Sequence, residues 1–265
     1  SKQGVIDMQT HVSLTVEGDI AFITLACDQA GKPATLDWIV LDELEARVAE
    51  VEARCDTVRA VVVRSDSSKY FVVGANVNVL ETHDPESMVR WVQRGHAVFN
   101  RLAALPVPVI ARTDGYTLGG GLELAMACDL IVASSGAKFG QPEARLGFVA
   151  GWGGSFRLPR RVGLARAKEM FFTGRTLSAQ EALAVGLIDF VGEPEELDVY
   201  LAEFFANVRQ CSPLAVAEMK RMIDASPSIT LAQSALEEAV SSVACISSGD
   251  TKERVAAMLA GRRKS

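Results

Sequence analysis

Asp114-Gly115-Tyr116-Thr117-Leu118-Gly119-Gly120-Gly121-Leu122-Glu123-Leu124-Ala125-Met126-Ala127-Cys128-Asp129 joins two apolar runs, VPVIA at 107–111 and LIVA at 130–133. Both runs read as buried strands, and the stretch 122–127 reads as a short helix between them. Glycine loses more conformational freedom on folding than any other residue, so three in a row are costly. They are expected where backbone must come very close to something and present its N–H groups. A helix start immediately after them adds unpaired donors and the positive end of a dipole. Together these make a place for negative charge. Tight helix–strand packing would call for the same glycines, and the loop by itself does not separate the two readings. Neither the G-x-G-x-x-G of a dinucleotide site nor the Gly-Lys-Ser/Thr of a P-loop is present.

Outward from this segment, strands alternate with helices. VSLTV at 12–16 and IAFITL at 20–25 form a hairpin pattern around Glu17-Gly18-Asp19. From Asp37, Val40, Leu41, Leu44, Val48 and Val51 recur at helical spacing. The β-branched run 60–63 predicts a strand covered on both faces, and 86–104 predicts a helix. This alternation implies right-handed crossovers and a mostly parallel sheet. Beyond Phe139 the pattern is mainly helical, at about 155–172, 178–184, 195–209, 213–225, 230–246 and 250–260, with one short strand at 188–191. The apolar stripes of the last helices have little left to cover within the chain, and a neighbouring subunit is the expected partner.

The chain has 265 residues and a formal net charge of −6. That length suits one large α/β domain with an appendage. The acidic balance argues against a phosphate-backbone binder, so no nucleic-acid partner is expected. Arg262, Arg263 and Lys264 could contact a phosphate, although a solvated basic tail is the simpler account. The five cysteines are widely spaced, with no C-x-x-C pair. They predict neither a disulfide framework nor a zinc site, and a reducing, cytoplasmic setting. No apolar run reaches membrane-spanning length, and no membrane partner is expected.

Two carboxyls stand out. Glu123 falls in the first turn of an otherwise apolar helix; it either complements the dipole or is desolvated towards a pKa useful for proton transfer. Glu143 follows Pro142 in AKFGQPEARLGF (137–148), where an ordinary exposed first-turn glutamate is the competing account. Gly74 in YFVVGANVN (70–78) and the glycines of AGWGGSFRLPR (150–160) are further places where backbone could face a ligand. A serine hydrolase fails: there is no G-x-S-x-G, and His11, His83 and His96 sit in no nucleophile arrangement.

FVVGAN, DGYTLGGGLELAMACD, KFGQPEARLG and GWGGSFRLPR, in this order and spacing, resemble the enoyl-CoA hydratase/isomerase (crotonase) family over about residues 12–260. The resemblance implies an α/β fold with a ββα-spiral core, here 1–195, and a C-terminal helical region, 196–265, that builds trimers or hexamers and covers part of the active site. It implies an oxyanion hole from the N–H groups of Ala75 and Gly120, with Glu123 and Glu143 as the catalytic pair. Val73, Gly74, Asn78, Gly119, Gly151 and Trp152 are the implied substrate contacts, Val73 through its backbone at the adenine end of CoA. Retention of both glutamates favours hydration of a 2-enoyl-CoA; isomerisation, thioester hydrolysis and non-catalytic acyl-CoA binding are the alternatives. Neither metal nor redox cofactor is called for, CoA being part of the substrate. Asn76 stands where relatives carry an acid, Asn78 where many carry a lysine, and Ala34 where an asparagine is frequent. Trp152 replaces a small residue and is expected to narrow or reshape the acyl pocket.

Overall fold

A computed structural model describes residues 8–262. Arg263 and Lys264 of the basic tail lie outside the described residues, as does the side chain of Arg262. In chain order the strands are β1 (Thr10–Glu17), β2 (Ile20–Cys27), β3 (Ala60–Ser65), β4 (Tyr70–Val72), β5 (Val109–Thr113), β6 (Tyr116–Leu118), β7 (Leu130–Ser134), β8 (Lys138–Gly140), β9 (Thr176–Ser178) and β10 (Phe190–Gly192). The helices are α1 (Trp38–Glu52), α2 (Val77–Leu80), α3 (Pro85–Ala103), α4 (Gly120–Met126), α5 (Gly154–Val162), α6 (Leu164–Thr173), α7 (Ala179–Ala184), α8 (Pro194–Gln210), α9 (Pro213–Ala225), α10 (Leu231–Ser247) and α11 (Asp250–Arg262).

The strands form two sheets, in the orders β1-β2-β3-β5-β7-β10 and β4-β6-β8-β9. Except for the β1–β2 hairpin, neighbours in the larger sheet run parallel. Each pass of the chain lays one strand in the larger sheet and then a short one in the smaller: β3 then β4, β5 then β6, β7 then β8. The chain is therefore a spiral of β-β-helix turns built without a sequence repeat.

Alternation along a strand sends successive side chains to opposite faces. In β3, Val61 and Val63 join the main core while Ala60 and Val62 face a second cluster. Leu197, Leu201 and Phe205 of α8 cover that second face. This double burial is why β3 reads as an unbroken apolar run. It also ties α8 onto the larger sheet.

Three expectations are revised. Residues 155–172 do not form one helix: Gly163, at φ +77°, separates α5 from α6. The strand expected at 107–111 runs two residues later, and the one at 188–191 is Phe190–Gly192. The loop expected at 115–121 contains β6, one of four three-residue strands in the smaller sheet.

Beyond α8 the helices stand largely apart. α9 is held by Lys220, whose ammonium lies 2.8 Å from the Asp129 carboxylate and 3.0 Å from the Val107 carbonyl. α10 leaves Leu236, Val240 and Val243 more than half exposed. Among the described residues, nothing covers the apolar stripes expected to lack cover within the chain.

Candidate active site

Three parallel strands of the smaller sheet deliver the site. β6 lies between β4 and β8, in registers Val72↔Thr117 and Leu118↔Gly140. The residues that follow these strands, 73–75, 119–120 and 141–143, therefore emerge side by side at one sheet edge. Ala75, Gly120 and Glu143 come from those three ends, and Glu123 stands one turn into α4 directly behind.

The glycine triplet meets a different neighbour at each residue. Gly119 takes φ +54° and ψ −126°, and a Cβ there would lie 3.2 Å from Glu143 Oε1. A Cβ on Gly121 would lie 2.0 Å from the Val72 carbonyl oxygen, an impossible approach for any larger residue. Close packing and presented amides, the two readings left open by the sequence, are thus the same device.

Ala75 is oriented by its other side. Leu36 N–H donates to Gly74 O at 2.9 Å, and Asn76 N–H donates to Leu36 O at 2.8 Å. In a parallel bridge of this kind the middle residue turns its own N–H and C=O away from the partner. The Ala75 amide therefore faces away from Leu36. On the far side of Gly74, the position of a Cβ would be 3.7 Å from Gly120 N. Neither Ala75 N–H nor Gly120 N–H donates to another atom of the described residues. Two free amides flank the close approach of Gly74 to Gly119 and Gly120, with the dipole of α4 behind one of them.

Glu123 is 2% exposed. Its Oε1 accepts from the backbone N–H of Trp152 at 2.7 Å and of Gly154 at 2.8 Å. Burial pushes its pKa up, against the opposing pull of those amides and of Arg157. Glu143 opens a 3-10 turn, Glu143–Leu146. Burial raises it to about 7, opposed by a backbone hydrogen bond and assisted by the Glu123 charge. Both carboxyls are thus displaced towards neutrality for one main reason, desolvation.

Gln141 is a site residue that the sequence did not single out. It is fully buried, and with its amide NH2 turned towards Glu143 the nitrogen lies 2.6 and 3.0 Å from the two carboxyl oxygens. That orientation is assigned from hydrogen bonding, since it satisfies both groups. A neutral amide gives no titration signal in a sequence; only its burial marks it.

Trp152 is 3% exposed. Its indole N–H donates to the Trp91 carbonyl at 3.2 Å, and its ring packs edge-on against Trp91 and Phe99. The ring's other edge lies against Gly120, where a Cβ would come within 2.6 Å. The side chain lines the cavity from a seat in the core.

The cavity between these elements has a volume of about 380 Å³. Val73, Gly74, Ala75, Gly119, Gly120, Glu123, Glu143, Gly151 and Trp152 all line it. Asn78 does not: it is exposed on α2, where its N–H bonds the Asn76 side chain that caps the helix. Asn76 performs that capping as an aspartate would.

The arrangement resembles known proteins throughout. The family model described as "Enoyl-CoA hydratase/isomerase" matches residues 17–264. A short-chain-enoyl-CoA hydratase of Clostridium acetobutylicum is 34% identical over 253 residues, 96% of each chain. The mitochondrial methylglutaconyl-CoA hydratase of Rattus norvegicus is 39% identical over 212 residues, 78% of this chain and 66% of that protein. Among solved structures, an enoyl-CoA hydratase of Geobacillus kaustophilus superimposes with a TM-score of 0.89 at 31% identity, covering 96% of this chain and 95% of that one. The expected α/β fold with a ββα-spiral core is the observed one. The chain belongs to the enoyl-CoA hydratase/isomerase family.

Proposed function

We propose that this protein is a hydro-lyase that adds water across the double bond of a 2-enoyl-CoA thioester. The observation that carries the proposal is the meeting, in one cavity, of two unpaired backbone amides with two desolvated carboxyls. The thioester carbonyl accepts from Ala75 N–H and Gly120 N–H. Negative charge grows on that oxygen as the enolate forms, and fixed donors act there most strongly; losing one such donor raises a barrier by about 3–4 kcal/mol. Water held between the carboxyls attacks the β-carbon, Glu123 taking its proton while Glu143 delivers one to the α-carbon. The new C–O and C–H bonds replace the C=C π bond and one O–H bond, so neither metal nor redox cofactor enters the balance. Two interacting carboxyls titrate as a pair, and the roles are shared to that extent.

Around this chemistry we place 1–195 as the acyl-CoA-binding core and 196–265 as a helical region that joins chains into trimers or hexamers and covers part of the site. The exposed apolar faces of α9–α11 support that assignment. Val73 and Asn78 are assigned to the CoA moiety. Cytoplasmic location fits five free cysteines. No helix among the described residues is long and apolar enough to cross a membrane.

Incubation with crotonyl-CoA tests the activity. Hydration removes the conjugated absorbance without releasing free thiol; thiol release would mean hydrolysis, and a migrating double bond would mean isomerisation.

A further inference from the structure

Relatives of comparable identity are named for a neutral acyl group, crotonyl, and for an acidic one, methylglutaconyl. Likeness alone does not choose between them. The cavity lining does. Its titratable side chains, among the described residues, are Glu123 and Glu143; no Lys, Arg or His lines it. Away from the two carboxyls the wall is carbon, supplied by Leu80, Met88 and Val92 on one side and Leu146, Phe148 and Val149 on the other. Val92 stands across from the glycine loop, its Cγ2 being 3.4 Å from where a Gly151 Cβ would be. The cation felt by Glu123 is Arg157, but its guanidinium bonds Asn100 Oδ1 at 2.7 Å and lines a separate groove beside α9. Arg145, within the 3-10 turn, bonds the Thr173 carbonyl at 3.0 Å. His83 packs on the rings of Trp38 and Trp91 outside the lining.

We infer that the acyl end of this cavity takes uncharged acyl groups and rejects thioesters bearing a second carboxylate, with Met88 and Val92 of α3 as the positions that set the preference. The inference rests on the acyl-CoA reading above. In a five-carbon acyl group the second carboxylate sits two carbons past the β-carbon, within the cavity and beside Glu123 and Glu143. An anion there loses its water and meets no cationic side chain in compensation, which is strongly unfavourable. The same desolvation that lifts both protein carboxyls acts on the ligand's.

Calorimetric titration with pentanoyl-CoA and glutaryl-CoA, equal in length and differing in terminal charge, tests this without requiring turnover. Glutaryl-CoA is expected to bind at least about tenfold more weakly. Val92→Lys is expected to close that gap, and Met88→Lys carries the same test should Val92→Lys fail to fold. In parallel, hydration of pent-2-enoyl-CoA is expected to exceed that of glutaconyl-CoA by at least about a hundredfold. Equal or tighter binding of glutaryl-CoA, or hydration of glutaconyl-CoA within about tenfold of its neutral counterpart, overturns the charge selection and leaves the hydratase reading intact. Selective binding with no hydration of any 2-enoyl-CoA does the reverse. Binding of neither thioester overturns both.

Discussion

A Cβ placed on Gly95 of α3 would lie 2.1 Å from the indole of Trp152, closer than any real side-chain contact. Gly95 is an interior helical glycine, and intrinsic propensity favours alanine there by about 1 kcal/mol. The indole reverses that sign. Gly95→Ala is expected to destabilise the protein by roughly 1–3 kcal/mol, as overpacking does. Urea unfolding checks it, and a rise in midpoint would mean that the ring is not confined between Gly95 and Gly120. Because Trp152 N–H holds Glu123, turnover should fall in the same variant.

Glu123→Gln and Glu143→Gln each replace a carboxyl proposed to transfer a proton with a group of nearly the same shape. Turnover on crotonyl-CoA is expected to drop at least about a hundredfold in each, while affinity for a saturated acyl-CoA barely changes. The amide oxygen of Gln at 123 still accepts from Trp152 and Gly154, so the fold should hold. A variant with unaltered turnover removes its residue from the mechanism.

Glu143 gives stability a pH dependence of unusual direction. Its folded pKa of about 7 exceeds the ordinary 4.5. Between those values the folded protein keeps a proton that the unfolded chain releases, so stability falls as pH rises through that window. The loss, relative to Glu143→Gln, should reach roughly 2–3 kcal/mol by pH 8. Denaturant titrations of both proteins at pH 5 and pH 8 measure it; parallel behaviour of the two refutes it. In the wild type, kcat/KM should decline above about pH 7 as the proposed proton donor ionises.

Gln141→Leu removes the amide that faces Glu143 and leaves a slightly smaller apolar group. Hydrogen bonds to charged groups contribute about 1.5–3 kcal/mol, so the alkaline limb of kcat/KM should move up by roughly 1–2 pH units. A merely structural role for Gln141 would lower activity without moving that limb.

Long elements were legible in the sequence because their signals are local. Val40, Leu41, Leu44, Val48 and Val51 trace one helical stripe, and all five are buried in α1. The hairpin at Glu17–Ile20 announced itself through its turn. The three-residue strands β4, β6 and β8 did not. Each is too short to show periodicity and exists through pairing with a strand far off in sequence. Glu123 and Glu143 stood out as isolated carboxyls near glycine turns, strengthened by resemblance. Gln141 was missed because an amide between Gly140 and Pro142 looks like loop polarity until its burial is known. For Trp152 the seat of the ring was not legible, since the slot that accepts it is cut by Gly95, more than fifty residues earlier.

The exposed α10 side chains Leu236, Val240 and Val243 call for a partner surface. Sedimentation of the purified protein is expected to give the mass of three or six 28.4-kDa chains, and Val240→Glu to shift it towards the single chain. A monomeric wild type at micromolar concentration would refute that assembly.

The candidate site is stitched from consecutive passes of the spiral: residue 36 secures 75, 74 abuts 120, 119 abuts 143, and 123 is gripped by 152 and 154. No stretch of the polypeptide ending short of Gly154 can hold all these links. The proposed chemistry therefore has to wait until Gly154 has left the ribosome, and a fragment cut anywhere before that point is expected to be inert however well its early strands pair.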